Sequence, residues 1–325
     1  MLDRRNDPTR ILRISQMAER AGLDSLWVTD GIIAPDGAAR LEPWTALSIA
    51  AMYTKTIRVG LMASAGLRDA AVLGAMAGSL DAVLGGRLEL GVVPPWYAPE
   101  MASFGLEFPE ATARIAETRR FVAVVRDVVT GRPLESGASS IGVVSPQPGG
   151  PPITMEGRGE RQMQAAVDLA DCVLLPTRPL AELADLVAMG RAMCADAGRE
   201  PDSLSYAAQL PVSVGRTQAE SDVRVEIDDL MAQMNTRATG LHGTLEQCQD
   251  LIVELAHMGI ADVRCIVPNV ADIDDVIAQL SATAVGSKEM LRPGVARSVA
   301  PAPPPGWGGP AKPGTESAQV PEAGS

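Results

Sequence analysis

Apolar and polar residues alternate along this chain on two different periods. Residues 9–21 carry Ile11, Leu12, Ile14, Met17 and Ala18 at helical spacing and stop at Gly22. A short apolar run at 25–29 follows and reads as a strand. The same exchange recurs. Helices are predicted at 43–53, where proline occupies the first turn, at 69–84 with Asp69 as cap, and at 109–129, 160–170, 180–197, 218–234, 245–258 and 273–283. Strands are predicted at 57–63, 87–93, 153–155, 172–175, 204–214 and 263–267. Seven short strands separated by helices imply βα units and a parallel sheet. The repeated unit favours an α/β TIM (β/α)8-type barrel over a doubly wound open sheet.

Two segments break the rhythm. Residues 132–152 are rich in Gly, Ser and Pro and read as an insertion loop, with 141–144 its one strand-like piece. From 287 onward the chain becomes rich in Pro, Gly and Ala, a composition expected to be disordered. The expected organisation is therefore one barrel over 1–286 and a tail over 287–325.

Composition narrows the function. Apolar residues make up 46% of 325, ample for one large core, and the formal net charge is −12. No basic patch points to nucleic acid, and no apolar run approaches the length of a membrane span. The first ten residues have no apolar core of the secretory kind. Cys172, Cys194, Cys248 and Cys265 lie far apart, as in a reducing cytoplasm. Only three of the 28 basic residues are lysines, a bias that suggests a high-GC bacterial source. No metal-ligand cluster, P-loop or Rossmann fingerprint appears.

In a barrel, chemistry sits at the C-terminal strand ends. Those ends carry Asp30, which binds a cofactor or caps a turn; the small residues Ala63, Ser64, Ala65 and Gly66, followed by Arg68; and Gly91 and Val92, followed by Pro94, Pro95, Trp96 and Glu100. After the strand at 153–155 come Glu156, Gly157, Arg158, Gly159, Glu160 and Arg161. Amides at a helix start beside two arginines make an anion site, the alternative being a plain glycine-bearing turn. The histidines, His242 and His257, stand away from these ends.

Residues 80–105, LDAVLGGRLELGVVPPWYAPEMASFG, resemble the signature of the bacterial-luciferase-like monooxygenases, the flavin- and F420-dependent (β/α)8 barrels. AERAGLDSLWVTD, EPWTALSIAAMYTKTIRVG, PPITMEGRGERQMQAAVDLAD and HGTLEQCQDLIVELAHMGIADVRCIVP resemble further family segments in the family's order. The resemblance covers roughly 18–283. It implies an oxidoreductase or monooxygenase acting on a small organic molecule with coenzyme F420, weakly favoured, or FMN. The cofactor's phosphate would rest on Gly157, Arg158, Gly159 and Arg161. Its ring would lie over Ala63 and Ser64, where the family often has a cis peptide, and over Gly91 and Val92. Trp96 and Arg68 would wall the substrate pocket, and Asp30 or Glu100 would be the catalytic carboxylates.

Three departures from the family pattern stand out. Gly31 replaces a histidine. Val93, Pro94 and Pro95 occupy a glycine-rich turn, and proline has no N–H to offer a cofactor. The family's first strand has no counterpart ahead of residue 9. Seven strands leave a gap, to be filled by a start upstream of Met1, by 141–144, or by a partner in a homodimer or a heterodimer with a related barrel. The alternative function is a non-catalytic paralogue serving as a structural or binding subunit. A further reading is an unrelated TIM-barrel enzyme with a phosphate-bearing substrate at 157–161.

Overall fold

The computed structural model describes residues 8–33, 40–134, 142–267 and 273–291. The order is α1 (Pro8–Arg20), β1 (Ser25–Thr29), α2 (Pro43–Met52), β2 (Arg58–Ser64), α3 (Ala70–Val83), β3 (Leu88–Val93), α4 (Ala98–Ser103), α5 (Ala111–Thr130), β4 (Ile153–Glu156), α6 (Glu160–Leu169), β5 (Cys172–Leu175) and α7 (Leu180–Asp196). There follow β6 (Ser205–Gly215), α8 (Gln218–Glu226), α9 (Asp229–Gln233), α10 (Thr236–Thr239), β7 (Leu241–Thr244), α11 (Leu245–Met258), β8 (Asp262–Ile266) and α12 (Ile273–Met290).

All strands are parallel. They pair in the order β1 to β7, and β8 lies on β6. The long β6 serves two neighbours in succession: Ala207–Pro211 align with β8, and Val212–Gly215 with β7. Along the inner face glycines alternate with bulky partners. Trp27 stands opposite Gly60 and Met62 opposite Gly91. A Cβ on Gly60 would lie 2.5 Å from the Trp27 ring, and one on Gly91 2.3 Å from the Met62 sulfur. The glycines thus make room for side chains that fill the barrel, together with Val93, Cys172, Leu174 and Ala207. The Arg264 guanidinium lies 3.7 Å from the centre of the Trp27 ring. This contact joins the first strand to the last, so the sheet curls into a barrel rather than lying open.

Local chemistry fixes the elements as the sequence implies. Asp69 caps α3 by accepting from the amides of Ala71 and Val72. Thr244 and Gln247 form a capping box on α11, and Gly259 ends that helix at φ +95. Gly85 and Gly86, at φ +62 and +88, turn the chain from α3 into β3. Beside them Asp81 is fully buried. It accepts from the Leu88 amide at 2.9 Å, from Ser145 Oγ at 2.5 Å and from Gln147 Nε2 at 3.1 Å.

That carboxylate corrects one expectation. Residues 142–145 form no strand and do not enter the gap. They run outside the barrel, with the Val143 carbonyl against Gly78 of α3 and the Ser145 amide bonded to the Val129 carbonyl of α5; Ile141 lies outside the described residues. Three other elements differ. Among the described residues eight strands replace seven, the addition being β7, which extends the pairing of β6 and does not bridge β8 to β1. The expected helix at 218–234 divides at Asp228, whose side chain caps α9 at the amides of Leu230 and Met231. The last helix continues to Met290, past the expected start of the tail at 287; residues 292–325 lie outside the described residues.

Candidate functional site

The C-terminal strand ends form a rim on which the sequence-derived candidates fall into two groups. The first is a locked cluster over β1 to β3. Asp30, 4% exposed, accepts from the Ser64 amide at 3.0 Å and from Arg68 Nη1 at 2.6 Å. Arg68 extends its other nitrogen to Glu42, the cap of α2. Burial works against the Arg68 charge, yet the bonds and charges of Asp30 and Glu42 outweigh it and hold its pKa above the ordinary value. Burial also opposes ionisation of Glu42, but the amides of Thr45 and Trp44, with Arg68, pull its pKa down. Glu100, 3% exposed, accepts from the amides of Ile32 and Ile33 at 2.5 and 2.9 Å, tying α4 to the loop after β1.

Arg68, Asp30 and Glu100 are therefore brought together as fasteners between loops. One polar atom is left over: Oδ1 of Asp30 is buried and has no protein partner. Of the ring-facing candidates, Ala63 and Ser64 end β2 beside Asp30, and no cis peptide occurs among the described residues. Gly91 is covered by Met62, and Val92 is wholly buried in the core. Trp96 is 61% exposed and tilts against Tyr97, ring centres 5.4 Å apart.

The second group surrounds a cavity of about 280 Å³ over the ends of β4 and β5, beside Gln209 of β6. Glu156, Arg158, Thr177, Arg178, Gln209 and Met234 are among its lining residues. Arg158 forms a two-pronged pair with Glu156, both contacts at 2.9 Å, and this partner raises its pKa. Arg161 points away and donates to Thr112 Oγ1 at 2.9 Å. Gly157 packs closely, since a Cβ there would lie 2.5 Å from Val173 Cγ1, whereas a Cβ on Gly159 would meet nothing within 4 Å. Gly159 is the N-cap of α6 and has no side chain to occupy the helix's first amides. Arg178, paired with Glu182 at 3.6 Å, adds a cation to the same rim. Sequence reasoning missed Thr177, Arg178 and Gln209. The signal available was positional: Pro176, Thr177 and Arg178 directly follow β5, where barrel loops carry chemistry.

The remaining candidates drop out. His242 pairs with Asp222 at 2.9 Å on β7, and His257 lies in the last turn of α11. Burial pushes the Cys248 thiol up to about 12, far from a reactive thiolate. Among the described residues no group of His, Cys, Asp or Glu could hold a metal ion, and no helix is long and apolar enough to cross a membrane.

The model of the luciferase-like monooxygenase family matches residues 1–250. The chain belongs to this family. Within it, the chain is 26% identical over 227 residues to the 5,10-methylenetetrahydromethanopterin reductase of Methanolobus tindarius, covering 68% of this chain and 67% of that protein. Among solved structures, the coenzyme F420-dependent tetrahydromethanopterin reductase of Methanopyrus kandleri superposes with a TM-score of 0.73 at 19% identity, covering 86% of this chain and 95% of the other. A riboflavin lyase solved with modified FMN gives 0.72 at 18% identity, covering 88% and 85%. At such identities the structural likeness establishes the luciferase-like barrel.

Proposed function

We propose that this chain is an oxidoreductase of the luciferase-like class that binds coenzyme F420, or FMN, across the rim from β2 to β6 and acts on a small organic molecule. The observation that carries this reading is the cavity over the ends of β4 and β5, lined by Arg158 and Arg178, with the uncapped N-terminus of α6 following Arg158 directly in the chain. The similar reductase structure named for coenzyme F420 favours that cofactor over FMN.

The residues present fit such a group at two places. The first amides of α6 and Arg178 suit a phosphate-bearing chain, with Gly159 leaving open space for it. The buried Oδ1 of Asp30 offers an acceptor to a ring N–H or a substrate hydroxyl. They fit less well after β3, where Pro94 and Pro95 have no N–H, so the bonding there falls to side chains. When bound, the cofactor supplies hydride or oxygen chemistry that the side chains lack. The protein's part is to orient that ring and exclude water. Asp30, which accepts from Arg68 and from the Ser64 amide, is fixed in direction and leaves its Oδ1 as an acceptor. Glu100 shapes the wall by holding Ile32 and Ile33 in place.

Arg178 is exposed on the rim and its loss leaves no buried partner. Arg178→Ala is therefore expected to weaken F420 binding about tenfold, the worth of one charge-assisted contact near 1.4 kcal/mol, with an unchanged melting temperature. Fluorescence titration of the variant checks this. Unchanged affinity removes the cavity over β4 and β5 from the binding site.

A further inference from the structure

One residue sets the cavity over β4 and β5 apart from a plain anion site. Glu156 is the last residue of β4. Side chains alternate between the two faces of a strand. Thr154, two positions earlier, bonds Arg264 inside the barrel, and Leu174, the register partner of Glu156 on β5, belongs to the layer that fills it. Glu156 therefore faces inward, at the mouth, where its side chain lines the cavity and is 18% exposed.

The cations of this cavity are already answered. Glu156 takes two nitrogens of Arg158, Nε and Nη2, each at 2.9 Å. Among the described residues no other acid pairs with Arg158, and its Nη1 is left over for a ligand. Arg178 pairs with Glu182 at 3.6 Å. Glu160 stands exposed in the first turn of α6 and puts a further carboxylate beside the open amides of that helix. The site thus has less positive charge to give than its two arginines alone suggest.

Phosphate groups come in two kinds near neutral pH. A diester carries one negative charge. A terminal monoester carries close to two, since its second pKa is about 6. We propose that Glu156 is a charge filter that makes this cavity a site for phosphodiesters and turns phosphomonoesters away. The inference rests on the cofactor-binding reading above and gives it a chemical ground, because coenzyme F420 holds its phosphate as a diester and FMN ends in a monoester. One charge can be met by Arg158 Nη1, Arg178 and the first amides of α6 while Glu156 stays in its pair. A second charge meets a carboxylate fixed in place, and relieving it means breaking two charge-assisted bonds. At a rim open to solvent, each ligand charge facing such a carboxylate lowers affinity about tenfold.

The test is binding to the full chain, to Glu156→Gln and to Glu156→Asp at about pH 8, where a monoester is fully charged. F420 and FMN are titrated by fluorescence. Glu156→Gln is expected to tighten FMN about tenfold more than F420. Glu156→Asp keeps the charge and is expected to keep the wild-type preference. Equal changes for the two cofactors, as a merely loosened Arg158 would give, overturn the proposal, and so does an FMN affinity that fails to rise. Methyl phosphate and dimethyl phosphate are titrated in parallel against the amide NMR signals of Gly159, Glu160 and Arg161. The wild-type chain is expected to bind dimethyl phosphate at least as tightly as methyl phosphate, and Glu156→Gln to move methyl phosphate ahead. A wild-type preference for methyl phosphate overturns the filter whether or not the variants fold, as does the absence of any shift with either phosphate at tens of millimolar. If neither cofactor binds any of the three proteins, the cofactor reading falls, and the two simple phosphates alone decide the role of Glu156.

Discussion

Replacing Asp30 by alanine is expected to destabilise the protein by about 3 kcal/mol, the lower end of the cost of breaking a buried ion pair. The side chain is almost fully inaccessible, and Arg68 is itself only 15% exposed. Removal leaves the Arg68 guanidinium in a poorly hydrated site with Glu42 as its one remaining charge partner, and it deprives the Ser64 amide of its acceptor. Both losses fall at the junction of β1, β2 and α2. The double substitution Asp30→Ala with Arg68→Met should recover part of the loss, because no uncompensated buried charge remains. Urea unfolding of the two variants decides. A change below about 0.5 kcal/mol in Asp30→Ala, or strict additivity with Arg68→Met, would show that the pair is not the fastener described.

The second large effect is expected at Asp81. Its carboxylate receives one backbone amide and two side chains in a fully buried position. Alanine strands the Leu88 amide and Ser145, whereas Gln147 Nε2 keeps its bond to the Leu88 carbonyl at 2.9 Å. Each stranded buried donor costs about 1–3 kcal/mol, partly offset because a buried carboxylate no longer has to be desolvated. The net expectation is about 3 kcal/mol, or a melting temperature lower by roughly 6 °C in a chain of this size. The segment from 142 to 147 should also become open to proteolysis, since Asp81 is its main anchor. Asparagine keeps one acceptor and should cost about half as much. Limited proteolysis and calorimetry on both variants provide the check, and a segment that stays protected in Asp81→Ala contradicts the anchoring role.

These two residues also mark where the sequence was legible. Asp81 sits in the LDAVLGGR stretch, whose helix, glycine turn and strand stand out from periodicity alone because each step is local. That Asp81 reaches Ser145 and Gln147, more than sixty positions later, has no local signature. The insertion at 132–152 therefore read as loose with a strand-like piece at 141–144, whereas the backbone of 142–145 packs on α3 and α5 and leaves Val143 and Val144 about half exposed. The β7 strand was missed because Leu241, His242, Gly243 and Thr244 show no apolar run; it exists because β6 is long enough to pair beyond β8. The candidate site followed the same rule. Asp30, Ser64, Glu156 and Gly159 stand at or just after the strand ends from which the sequence read them. The partnership of Asp30 with Arg68 and Glu42, and of Glu100 with Ile32 and Ile33, depends on how neighbouring loops fold over one another. Arg178 was overlooked because a single arginine after a strand looks like any surface charge until Arg158 is seen beside it.

The central claim is that the rim from β2 to β6 still holds a deazaflavin or flavin despite Pro94 and Pro95. Fluorescence titration of the full chain with oxidised and reduced F420, and in parallel with FMN, tests it directly. The account predicts saturable binding of F420 with a dissociation constant in the micromolar range or tighter, and weaker binding of FMN. Absence of binding by either cofactor at tens of micromolar would contradict it and leave the chain as a barrel that has kept the family's frame without its chemistry.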